Sequence, residues 1–122
     1  MRALIADDSK TIRLILHNLL WELGIDDVKE AANGMEAIEA LKGGGFDLVL
    51  LDLHMPQADG FDVLRATPEA PVLVISSDSD LRQIEKAMSL GARGYIKKPF
   101  RKDELQVAIE ELQVRVEGGL HR

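Results

Sequence analysis

The sequence predicts an α/β fold in which a five-stranded parallel sheet is wound on both faces by five helices. Three observations lead there. Short apolar runs alternate with stretches whose apolar residues recur every three or four positions. The better strand candidates, such as Leu48 to Leu51, are apolar at consecutive positions, as strands covered on both faces are. The 122 residues suit a single domain with a proper core.

Taken in order, Arg2 to Ala6 reads as the first strand. Ser9 offers a cap to the first helix. There Ile12, Ile15, Leu16, Leu19, Leu20 and Leu23 lie on one face, and Gly24 stops it. Val28 to Ala31 is a second, weaker strand. Asn33-Gly34 turns into a helix with Ala37, Ile38 and Leu41 inward, ended by Gly43-Gly44-Gly45. Leu48 to Asp52 is the third strand. The third helix, Gly60 to Ala66, has room for only about two turns before Pro68 and Pro71. This shortness puts the packing of one sheet face in question. Val72 to Ser76 is the fourth strand. Asp80 to Leu90 is helical, with Leu81, Ile84, Ala87 and Met88 inward. Gly94 to Lys97 is a short fifth strand. Lys102 to Val116 is the last helix, with Leu105, Ala108, Ile109, Leu112 and Val116 on its core face. Residues 1–117 are expected to form the domain and 118–122, beginning with Gly118-Gly119, a tail.

Composition narrows the function classes. The formal net charge of -6 argues against nonspecific nucleic-acid binding, which needs a basic footprint. With no cysteine, disulfides, thiolate metal sites and cysteine catalysis are excluded. The opening "MRALIADDSK" is too acidic for a secretory signal, and no apolar run approaches the ~20 residues of a membrane span. A cytoplasmic protein without membrane insertion is expected.

The unusual polar residues fall at the carboxyl ends of the strands, where open parallel sheets bind ligands. Asp7 and Asp8 follow the first strand, Asp52 ends the third, Ser76 ends the fourth and Lys98 follows the fifth. Each alone reads as a cap or a solvated group; together they define an edge. Three carboxylates within ~4–5 Å repel one another by several kcal/mol per pair at an effective dielectric of about 20. Some must be protonated, or a cation must neutralise them. Oxygen-only ligands suit a hard ion. Mg²⁺, which keeps several waters and takes one or two protein carboxylates, fits a site of Asp8 and Asp52 with Asp7 acting through water.

An acidic pair after strand one, then "LDLHMPQADGF", "VLVISS" and "GYIKKPF", resembles the receiver domain of bacterial two-component response regulators. The resemblance runs from Arg2 to about Val116. "SKTIRLILHNLLWELGI" is also similar to the first helix of chemotaxis-type, single-domain members. The resemblance implies a flavodoxin-like sheet of strand order 2-1-3-4-5. It implies that Asp52 is the phosphoacceptor, taking a phosphoryl group from a sensor histidine kinase or a phosphotransfer protein. Asp8, Asp52 and the backbone carbonyl of His54 would hold Mg²⁺, or Mn²⁺, with Asp7 in support. Lys98 would face the phosphoryl oxygens, and strand alternation would point Lys97 the other way. Lys98-Pro99 would be a cis peptide. Ser76 and Tyr95 would be the switch pair.

Further along the same resemblance, His54 and Asp78 would tune the lifetime of the phosphorylated form. The readout face would comprise the fourth helix, fifth strand and fifth helix, where Tyr95, Val107 and Val114 would meet an unidentified downstream protein. The molecule would be a monomer or a weak, phosphorylation-dependent dimer, and not an enzyme acting on an external metabolite. Two alternatives compete. A haloacid-dehalogenase-type phosphatase places its nucleophile after the first strand with a second Asp two residues on, and Asp7-Asp8-Ser9-Lys10 lacks that spacing. A non-phosphorylated receiver-like scaffold typically loses an acidic, hydroxyl or lysine residue, and all are present.

Overall fold

The computed structural model describes residues 1–66, 69–77 and 79–121, with side chains as far as residue 112. Asp78, Val114, Val116 and Arg122 therefore lie, wholly or in their side chains, outside the described residues. Strands and helices alternate in the order β1 (Arg2–Ala6), α1 (Lys10–Glu22), β2 (Asp27–Ala31), α2 (Gly34–Lys42), β3 (Leu48–Leu51), α3 (Gly60–Ala66), β4 (Val72–Ser76), α4 (Leu81–Ser89), β5 (Gly94–Lys97) and α5 (Lys102–His121). The strands form one parallel sheet ordered β2-β1-β3-β4-β5, as expected.

Alternation along each strand divides the core in two. Leu4, Ala6, Val49, Leu51, Val72 and Val74 face α2, α3 and α4, where Ala37, Phe61, Val63, Leu64 and Ala87 are buried. Ala3, Ile5, Leu48, Leu50, Leu73, Ile75 and Ile96 face α1 and α5, against Leu16, Leu20, Leu105, Ile109 and Leu112. Helix starts follow side-chain caps. Ser9 accepts from the Ile12 amide, Asn33 from the Glu36 amide at 2.8 Å, and Asp80 from the Arg82 amide at 2.9 Å.

The structure corrects several sequence expectations. Ile15 on α1 is exposed, because Leu16 and Leu20 meet the sheet squarely and Ile15 falls beyond the edge of that stripe. On α4, Leu81 and Met88 are exposed as well; the helix touches the core mainly through Ala87, with Ile84 and Leu90 half-buried. Asp52 lies just past β3, which ends at Leu51. The last helix does not stop at Val116. Its backbone stays helical through Gly118-Gly119 to His121, as glycine disfavours a helix by only about 1 kcal/mol each and no proline intervenes. The third helix is short, at seven residues, yet Gly60, Phe61, Val63 and Leu64 are all buried, so it fills its share of the sheet face. Among the described residues no helix is long and apolar enough to cross a membrane.

Candidate functional site

Strand register brings the polar residues together. β1 and β3 are neighbours, and their last residues, Ala6 and Leu51, are paired. Asp7 and Asp52 therefore leave the sheet side by side. Both are still held by ladder-type bonds, the Asp7 amide donating to the Ala31 carbonyl (3.1 Å) and the Asp52 amide to the Ala6 carbonyl (2.9 Å). Both side chains are buried, while Asp8 is exposed at the mouth. Asp7, Asp8 and Asp52 each offer a carboxylate oxygen, and these oxygens lie within 4.8 Å of one another.

Lys98 enters from the end of β5. Its Nζ donates to Asp7 Oδ2 at 2.7 Å and to Asp52 Oδ2 at 3.4 Å. Lys97, the adjacent lysine, is exposed, and the Lys98-Pro99 peptide is cis. The Lys98 backbone amide donates to the Ser76 carbonyl at 3.0 Å, which ties this segment to the end of β4. Ser76 itself is fully buried. Tyr95 is half-buried, its hydroxyl 3.5 Å from the Ser76 carbonyl oxygen. His54 is exposed, but its backbone amide reaches back to Asp52 Oδ1 at 3.2 Å.

The loop after Asp52 is shaped by close approaches of backbone. A Cβ on Gly60 would lie 2.6 Å from the Asp52 carbonyl oxygen and 2.7 Å from Leu53 Cα; only glycine lets α3 start this near the site. Across the same loop, a Cβ on Gly34 would collide with the Ala58 carbonyl oxygen. Between these two glycines the chain turns through Gln57 and Ala58, both at positive φ (51° and 72°), a conformation that is costly for residues with a side chain.

Burial raises the pKa of Asp52, and the nearby Asp7 charge adds to the rise; Lys98 and the His54 amide oppose it without cancelling it. Burial alone would lower Lys98, but its bond to Asp7 and the charges of Asp52 and Asp7 outweigh that and raise it. Three carboxylates thus lie together, and the one ammonium of Lys98 bonds two of them. Such an all-oxygen, negatively charged cluster with one exposed member suits a hard divalent cation, and Mg²⁺ fits the donor set.

Sequence reading found Asp7, Asp8, Asp52, Ser76 and Lys98, and the structure brings Asp7, Asp8, Asp52 and Lys98 into one cluster, with Ser76 at the adjoining strand end. It missed the groups that hold them. Ser9 donates its amide to Asp7 Oδ1 at 2.8 Å, and Arg13 donates from Nη1 to the Asp7 carbonyl at 2.6 Å. Arg13 also bonds Glu30 through Nε at 3.0 Å. That pairing joins α1 to β2, and no local pattern in the sequence reveals it. Asp78, expected to tune a lifetime, lies outside the described residues.

The family model described as "Response regulator receiver domain" matches residues 3–110. The chain is 38% identical to chemotaxis protein CheY of Pseudomonas aeruginosa, over 97% of this chain and all of that one. It is 39% identical to CheY-3 of Vibrio cholerae, over 95% of this chain and 94% of that one. Among solved structures, the CheX-CheY-BeF3-Mg+2 complex from Borrelia burgdorferi matches at a TM-score of 0.89 and 27% identity. It covers 93% of this chain and 90% of the matched one.

Proposed function

The chain belongs to the response regulator receiver domain family, and from that premise we propose that it is a chemotaxis-type signalling switch phosphorylated on Asp52. The observation that carries the reading is the cluster of Asp7, Asp8 and Asp52 at the carboxyl edge of the sheet, with Lys98 bonded to Asp7 and Asp52. A carboxylate oxygen of Asp52 attacks the phosphorus of a phosphohistidine on a sensor kinase or phosphotransfer protein. The P–N bond breaks, its electron pair stays on the donor's imidazole nitrogen, and an acyl phosphate forms on Asp52. Lys98 offsets the negative charge that collects on the phosphoryl oxygens, and Ser76 donates its hydroxyl to one of them. Asp8, Asp52 and the His54 carbonyl would hold Mg²⁺ or Mn²⁺, with Asp7 acting through water. The ion, when bound, neutralises and aligns phosphoryl oxygens.

The same reading assigns the output to α4, β5 and α5. Drawing Ser76 toward the phosphoryl group frees space into which Tyr95 turns. Phosphorylation needs only to favour one of two existing states. Tyr95 and Val107 line an open groove of about 360 Å³ between β5 and α5, and Val107 is exposed. A downstream protein docks there. Val114, the other valine expected on this face, has its side chain outside the described residues. The protein works in the cytoplasm as a signalling element and not on an external metabolite.

Mass spectrometry after incubation with acetyl phosphate and Mg²⁺ tests the assignment. One phosphoryl adduct is expected, absent in Asp52→Asn. No adduct on the wild type under forcing conditions overturns the reading in favour of a non-phosphorylated scaffold. Following the adduct's decay in His54→Ala tests the lifetime role in the same experiment, and an unchanged rate removes that role.

A further inference from the structure

We propose that Arg13 is a positioning residue for the acidic site, fixing the Asp7-Asp8 peptide so that the Asp8 carboxylate is aimed into the cluster. The proposal rests on the Mg²⁺-dependent reading of that cluster. Asp7 is held at four points. Its amide bonds the Ala31 carbonyl, and its carboxylate oxygens accept from Ser9 and Lys98. Its carbonyl accepts from Arg13 Nη1 at 2.6 Å. That carbonyl belongs to the peptide joining Asp7 to Asp8. Rotating this peptide would leave the bonds of Asp7 to Ala31 and Lys98 in place but would swing Asp8 away from Asp52 and carry Ser9 with it. Asp8 is exposed, so its direction depends on the backbone that carries it.

Arg13 is built to hold that peptide. It sits in the first turn of α1, its amide bonded to the Ser9 carbonyl at 3.0 Å, and its side chain is only 14% exposed. Nε donates to Glu30 Oε1 at 3.0 Å, and the other oxygen of Glu30 contacts His17 Nδ1 at 3.0 Å. Glu30 lies on β2, paired with Ile5 of β1. The planar guanidinium thus spans from a carboxylate on β2 to the carbonyl after β1. A lysine ammonium on a flexible stem cannot reproduce this two-ended geometry.

Charge and position predict opposite outcomes, which makes the proposal testable. Arg13 is a cation beside an acidic cluster. If only its charge mattered, removing it would tighten divalent binding. If it positions Asp8, removing it weakens binding. The measurement is a Mg²⁺ titration of the full chain, followed through the Asp8 and Ser9 amide resonances, with the metal-free melting temperature recorded alongside.

Arg13→Gln is expected to weaken Mg²⁺ binding about tenfold, the scale typical of a lost partner behind a metal ligand. Arg13→Lys should recover part of that loss. Glu30→Gln, which leaves Arg13 in place but loosens its anchor, should weaken binding by a smaller factor, and it carries the test if Arg13→Gln does not fold. Wild-type binding with equal or tighter binding in Arg13→Gln, or unchanged binding in Glu30→Gln where Arg13→Gln is unfolded, overturns the proposal alone. A wild type that shows no Mg²⁺ binding overturns both the proposal and the metal-dependent reading beneath it.

Discussion

A single carboxylate, Asp52, illustrates how the site is built at a cost in stability. Ionised, it sits buried beside Asp7, and its pKa is raised mainly by that burial. The folded state therefore holds the Asp52 proton to a higher pH than the unfolded chain does. Across the window from the ordinary carboxylate pKa of about 3.9 up to the raised value, this residue makes folding less favourable as pH rises. Below that window it contributes no penalty; above it the penalty is complete. Asp52→Asn removes the charge and leaves Lys98 paired with Asp7. In metal-free buffer the variant should be more stable than wild type at neutral pH, by on the order of 1 kcal/mol once screening is allowed for. Melting curves of both proteins from pH 4 to pH 8 check this. The gap between them should widen with rising pH, and a constant gap would rule out titration of Asp52 as its source.

At the scale of elements, the connection from β3 into α3 is the most constrained part of the molecule. Gly60 begins α3 while its backbone nearly touches the Asp52 carbonyl. Gly60→Ala must push α3 off the sheet or push the Asp52 peptide out of line. Since Phe61, Val63 and Leu64 are buried, the helix cannot move without cost. A loss of about 1–3 kcal/mol, the usual cost of overpacking, is expected in chemical denaturation, together with slower labelling by acetyl phosphate. Normal stability with normal labelling would show that the loop yields more easily than its contacts imply. This connection also marks the limit of what the sequence made legible. The short α3 could be read from Pro68 and Pro71, because proline acts locally. Its adequacy as a sheet cover could not, because that depends on four buried positions meeting a surface built from other strands. The same reason explains Ile15, Leu81 and Met88. Periodicity locates an apolar stripe, but the width of sheet available decides how much of the stripe is covered. Arg13 shows the limit for the site. A residue outside the apolar stripe of α1 gives no local sign that it pairs with Glu30 on another element.

For the molecule as a whole, the acidic cluster exists only because the sheet is assembled. Asp8 and Asp52 are far apart along the chain, and they meet because β1 and β3 pair with Ala6 beside Leu51. The positions of the acidic pair, Asp52, Ser76 and Lys98 were legible for the same topological reason. Parallel strands all present their carboxyl ends at one edge, so residues at corresponding ends of the sequence's apolar runs must converge. A divalent cation binding this cluster should bind the folded chain and scarcely the unfolded one. Linkage then makes stability depend on its concentration, with about 2.7 kcal/mol gained when the free ion stands at 100 times its dissociation constant. Adding Mg²⁺ should raise the melting temperature of the wild type steadily with the logarithm of concentration once the site is saturated. Asp8→Asn, which removes an exposed carboxylate without disturbing the Lys98 bonds, should lose most of that rise while keeping a metal-free melting temperature at or above that of wild type. Equal Mg²⁺-dependent rises in the two proteins would show that the ion binds elsewhere on this acidic chain. The contrast separates a specific site from general screening of the net charge of -6, because screening acts on every surface carboxylate and does not depend on Asp8.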